Sequence, residues 1–217
     1  MELRFKKWND ISIDIFNKLK AIDYKRGDDF EELNANISLL SILCGVEEDE
    51  IAKLTTGEFN KLLIQTEFLK EMPKVKIQDK YIINGNKYEV FLSLKKMSVA
   101  QYIDFQTYYK DVKKYFKELL SVFLIPQGKK YGEGYDIDIT IKEIGEHLSI
   151  VDANSILFFF AILFQSLTKT MLTYSIKDMK KMKKKMKSQE EIEKMEMAIQ
   201  QMEKAKDLVI NGAGFIW

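Results

Sequence analysis

The chain offers few side chains that could carry out chemistry. Among its 217 residues, His147 is the single histidine and Cys44 the single cysteine. His147 stands beside Glu143 and Glu146, where an imidazole could act as a base or bind a metal ion. Because neither a second histidine nor a partner cysteine supports these roles, we interpret His147 as a partly exposed histidine at a helix end.

Cys44 lies at the end of an apolar segment, directly before Gly45. A nucleophilic thiolate needs an accessible, electropositive setting and a nearby base. The carboxyl end of a helix has the opposite dipole sign, which favours a buried core thiol. One cysteine excludes an internal disulfide and a zinc site built from cysteines. It fits a reducing cytosol, as does the absence of an apolar signal core in the first ten residues.

Two further segments have the composition of ligand-binding loops but not their spacing. Residues 128–134, GKKYGEG, contain glycines and lysines without the Walker pattern, so a surface loop is favoured over a phosphate site. The acidic residues 47–50 lack the alternation and the glycine of a calcium loop and suit a helix N-terminus. We therefore expect no catalytic residue, no cofactor and no metal site, and interpret the chain as a non-enzyme.

The basic residues cluster in one segment. Seven lysines lie between Lys177 and Lys187, and glutamates at 190, 191, 193 and 196 follow. Phosphate groups of nucleic acid or lipid would suit such a cluster. However, it contains no aromatic residue for base stacking, and the whole chain has a net charge of only +1. A solvated or self-paired helix is favoured, and nucleic acid is not an expected partner.

The elements that position these residues are predicted to be mostly helices. Apolar residues make up 46% of the chain, which contains only two prolines. The most apolar segment, residues 150–174, opens with Ser149 and Asp152 in the spacing of a helix cap. Its continuous apolar run, 156–164, is shorter than the roughly 20 residues of a membrane span. We expect a central core helix and no transmembrane segment.

The remaining pattern predicts a mainly α globular body, residues 1–176, with about six helices and one β-hairpin. Asn84-Gly85, between segments rich in Val, Ile and Tyr, predicts a two-stranded hairpin over about 74–94. Further helices are predicted over about 11–22 (capped by Asn9 or Asp10), 29–43, 47–54, 55–70 (Thr55 with Glu58), 99–124 (Ser98 with Gln101) and from a Thr140 cap to about 148.

Residues 177–217 are predicted to form a charged helical appendage with an apolar tail. The methionine spacing loses phase near Ser188 and then resumes as a partial heptad. This predicts either a helical hairpin bent near Ser188 or one long helix with a stutter. In the hairpin, the lysine arm would face the glutamate arm. The residues that we expect to bind a partner are Met179, Met182, Met186, Met195, Met202, Phe215, Ile216 and Trp217.

The last three of these residues follow a Gly-rich joint, Asn211-Gly-Ala-Gly214. Leaving a large apolar side chain in water costs about 2 kcal/mol. We therefore expect Phe215, Ile216 and Trp217 to dock, either on the chain's own core or on a partner.

Several segments together resemble a known family. They are Trp8-Asn-Asp-Ile-Ser-Ile, Ser41-Ile-Leu-Cys-Gly45-Val, Phe68-Leu with Pro73, Tyr81-Ile-Ile-Asn-Gly-Asn-Lys-Tyr88, Lys96-Met-Ser-Val-Ala-Gln-Tyr-Ile-Asp-Phe105, Leu119 to Pro126 and Phe158-Phe-Phe160. In these segments, about residues 8–172, the chain resembles tail assembly chaperones of tailed bacteriophages that infect gut Bacteroidetes.

The resemblance implies a protein that acts in the host cytoplasm and has no catalytic residues. Its partner would be an aggregation-prone tail protein, such as the tape measure, which it would keep soluble. Met side chains adapt to varied partners, so the appendage suits this role. An antiparallel coiled coil that buries those methionines against each other or in a homo-oligomer fits the same pattern. The alternative function is a structural virion component of the tail, connector or capsid.

Overall fold

The computed structural model describes residues 3–23, 29–71, 73, 76–91, 93, 96–186 and 188–211. The chain divides into two compact units, Met1–Ser155 and Ile156–Trp217. The described residues are mainly helical with a small antiparallel sheet, which confirms the predicted fold class. The predicted division at residue 176 stays a prediction.

The first unit consists of helices and a three-stranded sheet, and its last residues begin the helix that continues into the second unit. The elements are α1 (Ile13–Lys20), α2 (Asp29–Cys44), α3 (Glu48–Ala52), α4 (Thr56–Gln65), β1 (Lys80–Ile83), β2 (Asn86–Val90), α5 (Val99–Tyr109), α6 (Phe116–Phe123), β3 (Leu124–Pro126), α7 (Ile137–His147), α8 (Ile150–Lys183) and α9 (Gln189–Asn211). Short 3-10 helices lie at Trp8–Asp10 and Thr66–Lys70.

Helix α1 begins later than predicted. Ser12, not Asn9 or Asp10, caps it, and the Ser12 hydroxyl accepts a hydrogen bond from the Ile15 N–H at 3.3 Å. Residues 11 and 12 are extended, because the Ile150 N–H donates to the Ile11 carbonyl at 2.8 Å. This pairing of two distant segments overrides the local capping signal.

The prediction of one continuous helix over residues 99–124 is wrong. Helix α5 ends at Tyr109, α6 begins at Phe116, and residues 124–126 are strand β3. The Phe105 and Phe123 rings meet edge to face at a centroid distance of 5.6 Å, so the two helices pack together.

The hairpin prediction is confirmed, with shorter strands. Asn84 (φ 49°) and Gly85 (φ 77°) both occupy the left-handed region that a two-residue turn requires. The sheet has a third strand that was not predicted, because β3 pairs antiparallel with β2 and aligns Leu124 with Val90. Leu124 is fully buried there. A lone hairpin is marginal in stability, and the third strand resolves that difficulty.

Helix α7 also starts earlier than the predicted Thr140 cap. The Asp136 carboxylate accepts hydrogen bonds from the N–H groups of Asp138 (2.8 Å) and Ile139 (3.2 Å) and is the true cap. Thr140 is buried one turn into the helix and donates to the Asp136 carbonyl. Helix α7 packs against α1, α6 and β1.

In the second unit, the remainder of α8 and helix α9 form a helical hairpin. Helix α8 ends at Lys183 and α9 begins at Gln189. Ion pairs Lys180–Glu203 (2.8 Å) and Lys183–Glu196 connect the two helices. Of the two predicted alternatives, the structure therefore shows the hairpin, with the lysine arm facing the glutamate arm.

The expectation of a central core helix holds for only part of α8. The first turns of α8 are buried, including Ile150 and Ala153, but Phe158 and Ile162 are exposed. Among the described residues, α8 alone is long and apolar enough to cross a membrane, and half of its most apolar window is buried. A core helix meets the same criterion, so the finding is consistent with the expected absence of a transmembrane segment.

Candidate functional site

The structure places His147 and Cys44 in the wall of one cleft. Helix α7 ends at His147, whose side chain is 43% exposed and whose Nε2 lies 3.8 Å from a Glu146 carboxylate oxygen. The cleft has a volume of about 450 Å³ and is also lined by Arg4 and Lys6. Sequence reasoning did not bring these residues together, because no local signal connects the ends of α2 and α7.

The Cys44 thiol is not prepared for nucleophilic chemistry. Cys44 is buried in an apolar cluster with Leu40 and Ile51. Burial raises the pKa of the thiol, and nearby Lys6 opposes this only in part. The thiol is therefore protonated at neutral pH, whereas the attacking species is the thiolate. Among the described residues, no group of three or more His, Cys, Asp or Glu side chains could hold a metal ion.

A second polar cluster, around Glu143, has a structural role. The Glu143 carboxylate accepts hydrogen bonds from the Asn86 side-chain amide (3.0 Å) and the Tyr88 hydroxyl. These bonds attach the hairpin to α7. Burial, and then the neighbouring Glu143 carboxylate, raise the pKa of Tyr88 to about 12. Tyr88 is therefore a neutral hydrogen-bond donor at physiological pH.

The glycine-containing segment 128–134 forms a structured loop. Gly128, Gly132 and Gly134 all have positive φ angles between 71° and 77°. The Tyr131 hydroxyl donates to the Asp104 carboxylate at 2.8 Å and connects this loop to α5. Burial and Asp104 both raise the pKa of Tyr131. The positive φ angles and the hydrogen bond to Asp104 explain why this segment contains glycines and a tyrosine without a bound phosphate. This agrees with the interpretation of the segment as a surface loop.

The helical hairpin of the second unit is the candidate site for a protein partner. Met182 is exposed, whereas Met179, Met186, Met195 and Met202 are half-buried. The described methionines of the predicted set therefore divide into one that is exposed and four that are half-buried. Phe215, Ile216 and Trp217 lie outside the described residues.

Sequence reasoning missed most of the exposed apolar side chains of this hairpin. Besides Met182, they are Phe158, Ile162, Met171, Tyr174 and Met197. Except for Met182 and Met197, all lie within residues 150–174 of α8, the segment that was expected to form a central core helix. Their helical spacing gave a usable signal, because Met171, Tyr174 and Met182 fall on one side of a 3.6-residue helix.

Charged side chains surround this apolar surface. Lys180 and Lys183 are neutralised by glutamates of α9, and Lys194 pairs with Glu190 at 2.6 Å within α9. Two of the seven lysines of the cluster are therefore paired with glutamates inside the hairpin. The arrangement offers apolar side chains next to charged ones, and the net charge of the whole chain is only +1.

Comparisons of the chain with protein-family models, with curated proteins and with solved structures found no match. The fold and the candidate site define a mainly α protein that has a small antiparallel sheet and carries a charged helical hairpin. The family resemblance remains an expectation.

Proposed function

We propose that this chain is a non-catalytic protein-binding factor that keeps a helical, aggregation-prone protein soluble. From the sequence resemblance, we propose a tail protein of a bacteriophage, similar to a tape measure, as the partner. Binding takes place in the host cytoplasm during tail assembly.

The exposed apolar side chains of the second unit carry this proposal. Tyr174 and Met171 are about 70% exposed, and Met182 is more than half exposed. Burying each such side chain contributes about 1.5–3 kcal/mol. Methionine is flexible and polarisable, so a surface that includes it adapts to partners of varied shape. Such a surface suits a factor that must contact an unfolded or extended chain.

The direct test is co-expression with the large tail protein encoded by a neighbouring gene in the same phage genome. The chain should raise the soluble fraction of that protein after centrifugation. Replacing Met171, Tyr174 and Met182 together by Ser should abolish this effect. These side chains are exposed, so the variant should keep the wild-type circular dichroism spectrum and thermal unfolding.

A matched control replaces exposed polar residues of the same helix segment, Thr173, Asp178 and Lys181, by Ser. This variant should protect the tail protein as well as the wild type does. Equal loss of protection in both variants, or unchanged protection in the apolar variant, would contradict the proposed site. An absence of any effect of the wild-type chain would contradict the function.

The second candidate function is a structural virion component, and strand β1 favours it. Among the described residues, β1 pairs with β2 alone, so its other edge is available for strand addition by a neighbouring subunit. Ile82 is strongly exposed on this strand. Mass spectrometry of purified particles separates the two candidates. A structural component is present at fixed copy number, whereas an assembly factor is absent.

A further inference from the structure

Strand β1 has one edge that no described strand covers. It pairs with β2 alone, and the Val90 N–H donates to the Asp79 carbonyl at 2.9 Å where this pairing begins. In an antiparallel pair, alternate residues of a strand direct their backbone groups to the same neighbour. Lys80 and Ile82 therefore direct their N–H and C=O groups away from β2.

These outward backbone groups are open to a further strand. Among the residues that the structure describes, no hydrogen bond reaches the backbone of Lys80 or Ile82 from this side. Strand β1 contains no proline and no bulge in its register with β2, so neither of these common devices protects its edge. Lys80 places a charge at the edge, which disfavours a basic incoming strand but suits an acidic one.

Two clefts adjoin this edge and form one groove within the first unit. The larger cleft has a volume of about 580 Å³, and its wall includes Lys80 and Ile82. The other is the cleft of about 450 Å³ whose wall includes Arg4 and Lys6. The residues that line both clefts are Asn9, His147 and Ser149. The groove therefore leads from the edge of β1 to Arg4 and Lys6.

Most positive side chains of the groove have no ion-pair partner among the described residues. The lysines and arginines that line the groove are Arg4, Lys6, Lys80 and Lys87. Lys80 pairs with Glu89 at 3.2 Å. Within the described part of the chain, the other three form no ion pair. Their charge is therefore not compensated by a neighbouring carboxylate.

The carboxylates of the groove are each engaged by a neighbouring group. They are Asp10, Glu146 and Asp152. Asp152 accepts a hydrogen bond from the Ser149 hydroxyl at 2.8 Å, and Asp10 accepts one from the Lys7 N–H at 3.2 Å. Glu146 lies 3.9 Å from the Lys142 Nζ. A ligand in the groove thus meets four lysine or arginine side chains and three carboxylates that are already engaged, which favours a negatively charged partner.

We infer that this groove binds an acidic polypeptide segment in extended conformation. The segment pairs with the outer edge of β1 and places carboxylates near the cations of the groove. Its backbone offers N–H and C=O groups to Lys80 and Ile82 at the spacing of a strand, which a nucleic acid cannot do. The inference does not rest on the apolar hairpin surface of the second unit. For the alternative of a structural virion component, it specifies the chemistry of the segment that is added at β1.

Fluorescence anisotropy with labelled synthetic peptides tests the inference on the full chain. The probes are short peptides that alternate valine with glutamate, with glutamine or with lysine, so that they differ in charge. We expect the glutamate peptide to bind about tenfold more tightly than the glutamine peptide, and the lysine peptide not to bind. Binding should shift the backbone amide NMR signals of Lys80 and Ile82. No binding of the glutamate peptide, or equal binding of all three, would overturn the inference.

Ile82→Pro tests the pairing with the strand edge. Proline removes the outward N–H of this residue, and an edge strand tolerates proline where the N–H faces solvent. The variant should keep the thermal unfolding of the wild type but lose affinity for the glutamate peptide by about tenfold.

Ile82→Thr is the matched control, because threonine retains the N–H and favours a strand. It should bind the glutamate peptide as the wild type does. On the unchanged chain, N-methylation of the peptide backbone removes the same hydrogen bonds and should also weaken binding. Unchanged affinity of the N-methylated peptide, or of a folded Ile82→Pro variant, would show that the peptide does not pair with β1 and would overturn the inference.

Arg4→Gln combined with Lys87→Gln tests the charge of the groove. Both side chains are exposed, so the double variant should fold and bind the glutamate peptide several-fold more weakly, with unchanged affinity for the glutamine peptide. Lys110→Gln with Lys113→Gln removes two exposed lysines between α5 and α6 and should change neither affinity. Equal losses in the two double variants would overturn the inference. So would a short single-stranded DNA oligomer that displaces the peptide and binds more tightly, since it would identify a polyanion site.

Discussion

Ser149 fixes the start of α8 with one hydroxyl group. Its oxygen accepts a hydrogen bond from the Asp152 N–H at 3.0 Å and donates to the Asp152 carboxylate at 2.8 Å. Ser149→Ala should lower the free energy of unfolding by about 1 kcal/mol, since the N–H loses its partner. Urea unfolding followed by circular dichroism measures this change. Ser149→Gly should cost only a few tenths of a kcal/mol; a larger loss than with Ala would contradict the capping role.

Tyr88 should make stability depend on pH in the alkaline range. Its pKa in the folded chain is about 12, above the value of about 10 expected in the unfolded chain. A raised pKa means that its stabilising contribution is complete below about pH 10 and is lost as pH rises to about 12. The loss is on the order of 2 kcal/mol.

Tyr88→Phe should remove that part of the pH dependence. The variant is less stable at neutral pH because it lacks the hydrogen bond to Glu143, but its stability should fall less between pH 10 and pH 12. Thermal unfolding at several pH values measures both effects. Tyr102→Phe, which changes an exposed tyrosine, should retain the wild-type profile. A Tyr88→Phe profile parallel to the wild type would contradict this assignment.

At the scale of single residues, local chemistry could be predicted where it depends only on neighbours in sequence. The caps at Thr55, Ser98 and Ser149 are confirmed by their hydrogen bonds. The caps of α1 and α7 were not predicted. Backbone pairing of Ile11 with Ile150 delays the start of α1 to the Ser12 cap. Thr140 is buried inside α7, which Asp136 caps one turn earlier. Long-range contacts decide between several equally good local caps.

We predict that the two ion pairs between α8 and α9 add only a small amount to the stability of the hairpin, and that apolar packing contributes most of it. Both pairs are partly exposed, so each contributes at most about 1 kcal/mol. Glu196→Lys should weaken the hairpin modestly, because it places a lysine against Lys183. Adding Lys183→Glu should restore most of the lost stability by exchanging the two charges.

Amide hydrogen exchange in α9 at low salt measures this effect. Salt should reduce the difference between the single variant and the wild type, because it screens exposed charges. The pair Lys194–Glu190 lies within α9, so Glu190→Lys serves as a control that leaves the contact between the helices intact. Equal effects of Glu196→Lys and Glu190→Lys would show that the interhelical pair contributes nothing.

At the scale of elements, most helices and the hairpin were predictable from periodicity and turn residues. The sequence over 99–124 shows why others were not. It is apolar at helical spacing throughout, yet the chain turns after Tyr109 so that Phe105 meets Phe123. Strand β3 has no pattern of its own; Leu124 and Ile125 are strand residues because β2 offers them a partner. The hydrophobic periodicity of a segment does not show whether another strand is available to pair with it.

For the whole molecule, burial was the hardest property to predict. An apolar stretch predicts that something covers it, but Phe158, Met171 and Tyr174 remain exposed. The cleft that contains both His147 and Cys44 was equally hidden, because residues far apart in sequence form it. Composition and charge balance, in contrast, could be read directly and lead to the last prediction.

The net charge of +1 and the pairing of Lys180 and Lys183 with glutamates of α9 lead us to predict weak binding to polyanions. At physiological salt, the chain should show no stable complex with short duplex DNA or with phosphatidylserine vesicles. By contrast, a protein that binds DNA through six to ten phosphate contacts loses affinity by a factor of roughly 10³–10⁵ between about 50 mM and 200 mM salt. Fluorescence anisotropy and vesicle co-sedimentation over a salt series measure this. Replacing Lys181, Lys184 and Lys185 by Gln should change neither result. Tight, steeply salt-dependent binding that this variant loses would make the lysine cluster, and not the apolar surface, the functional site.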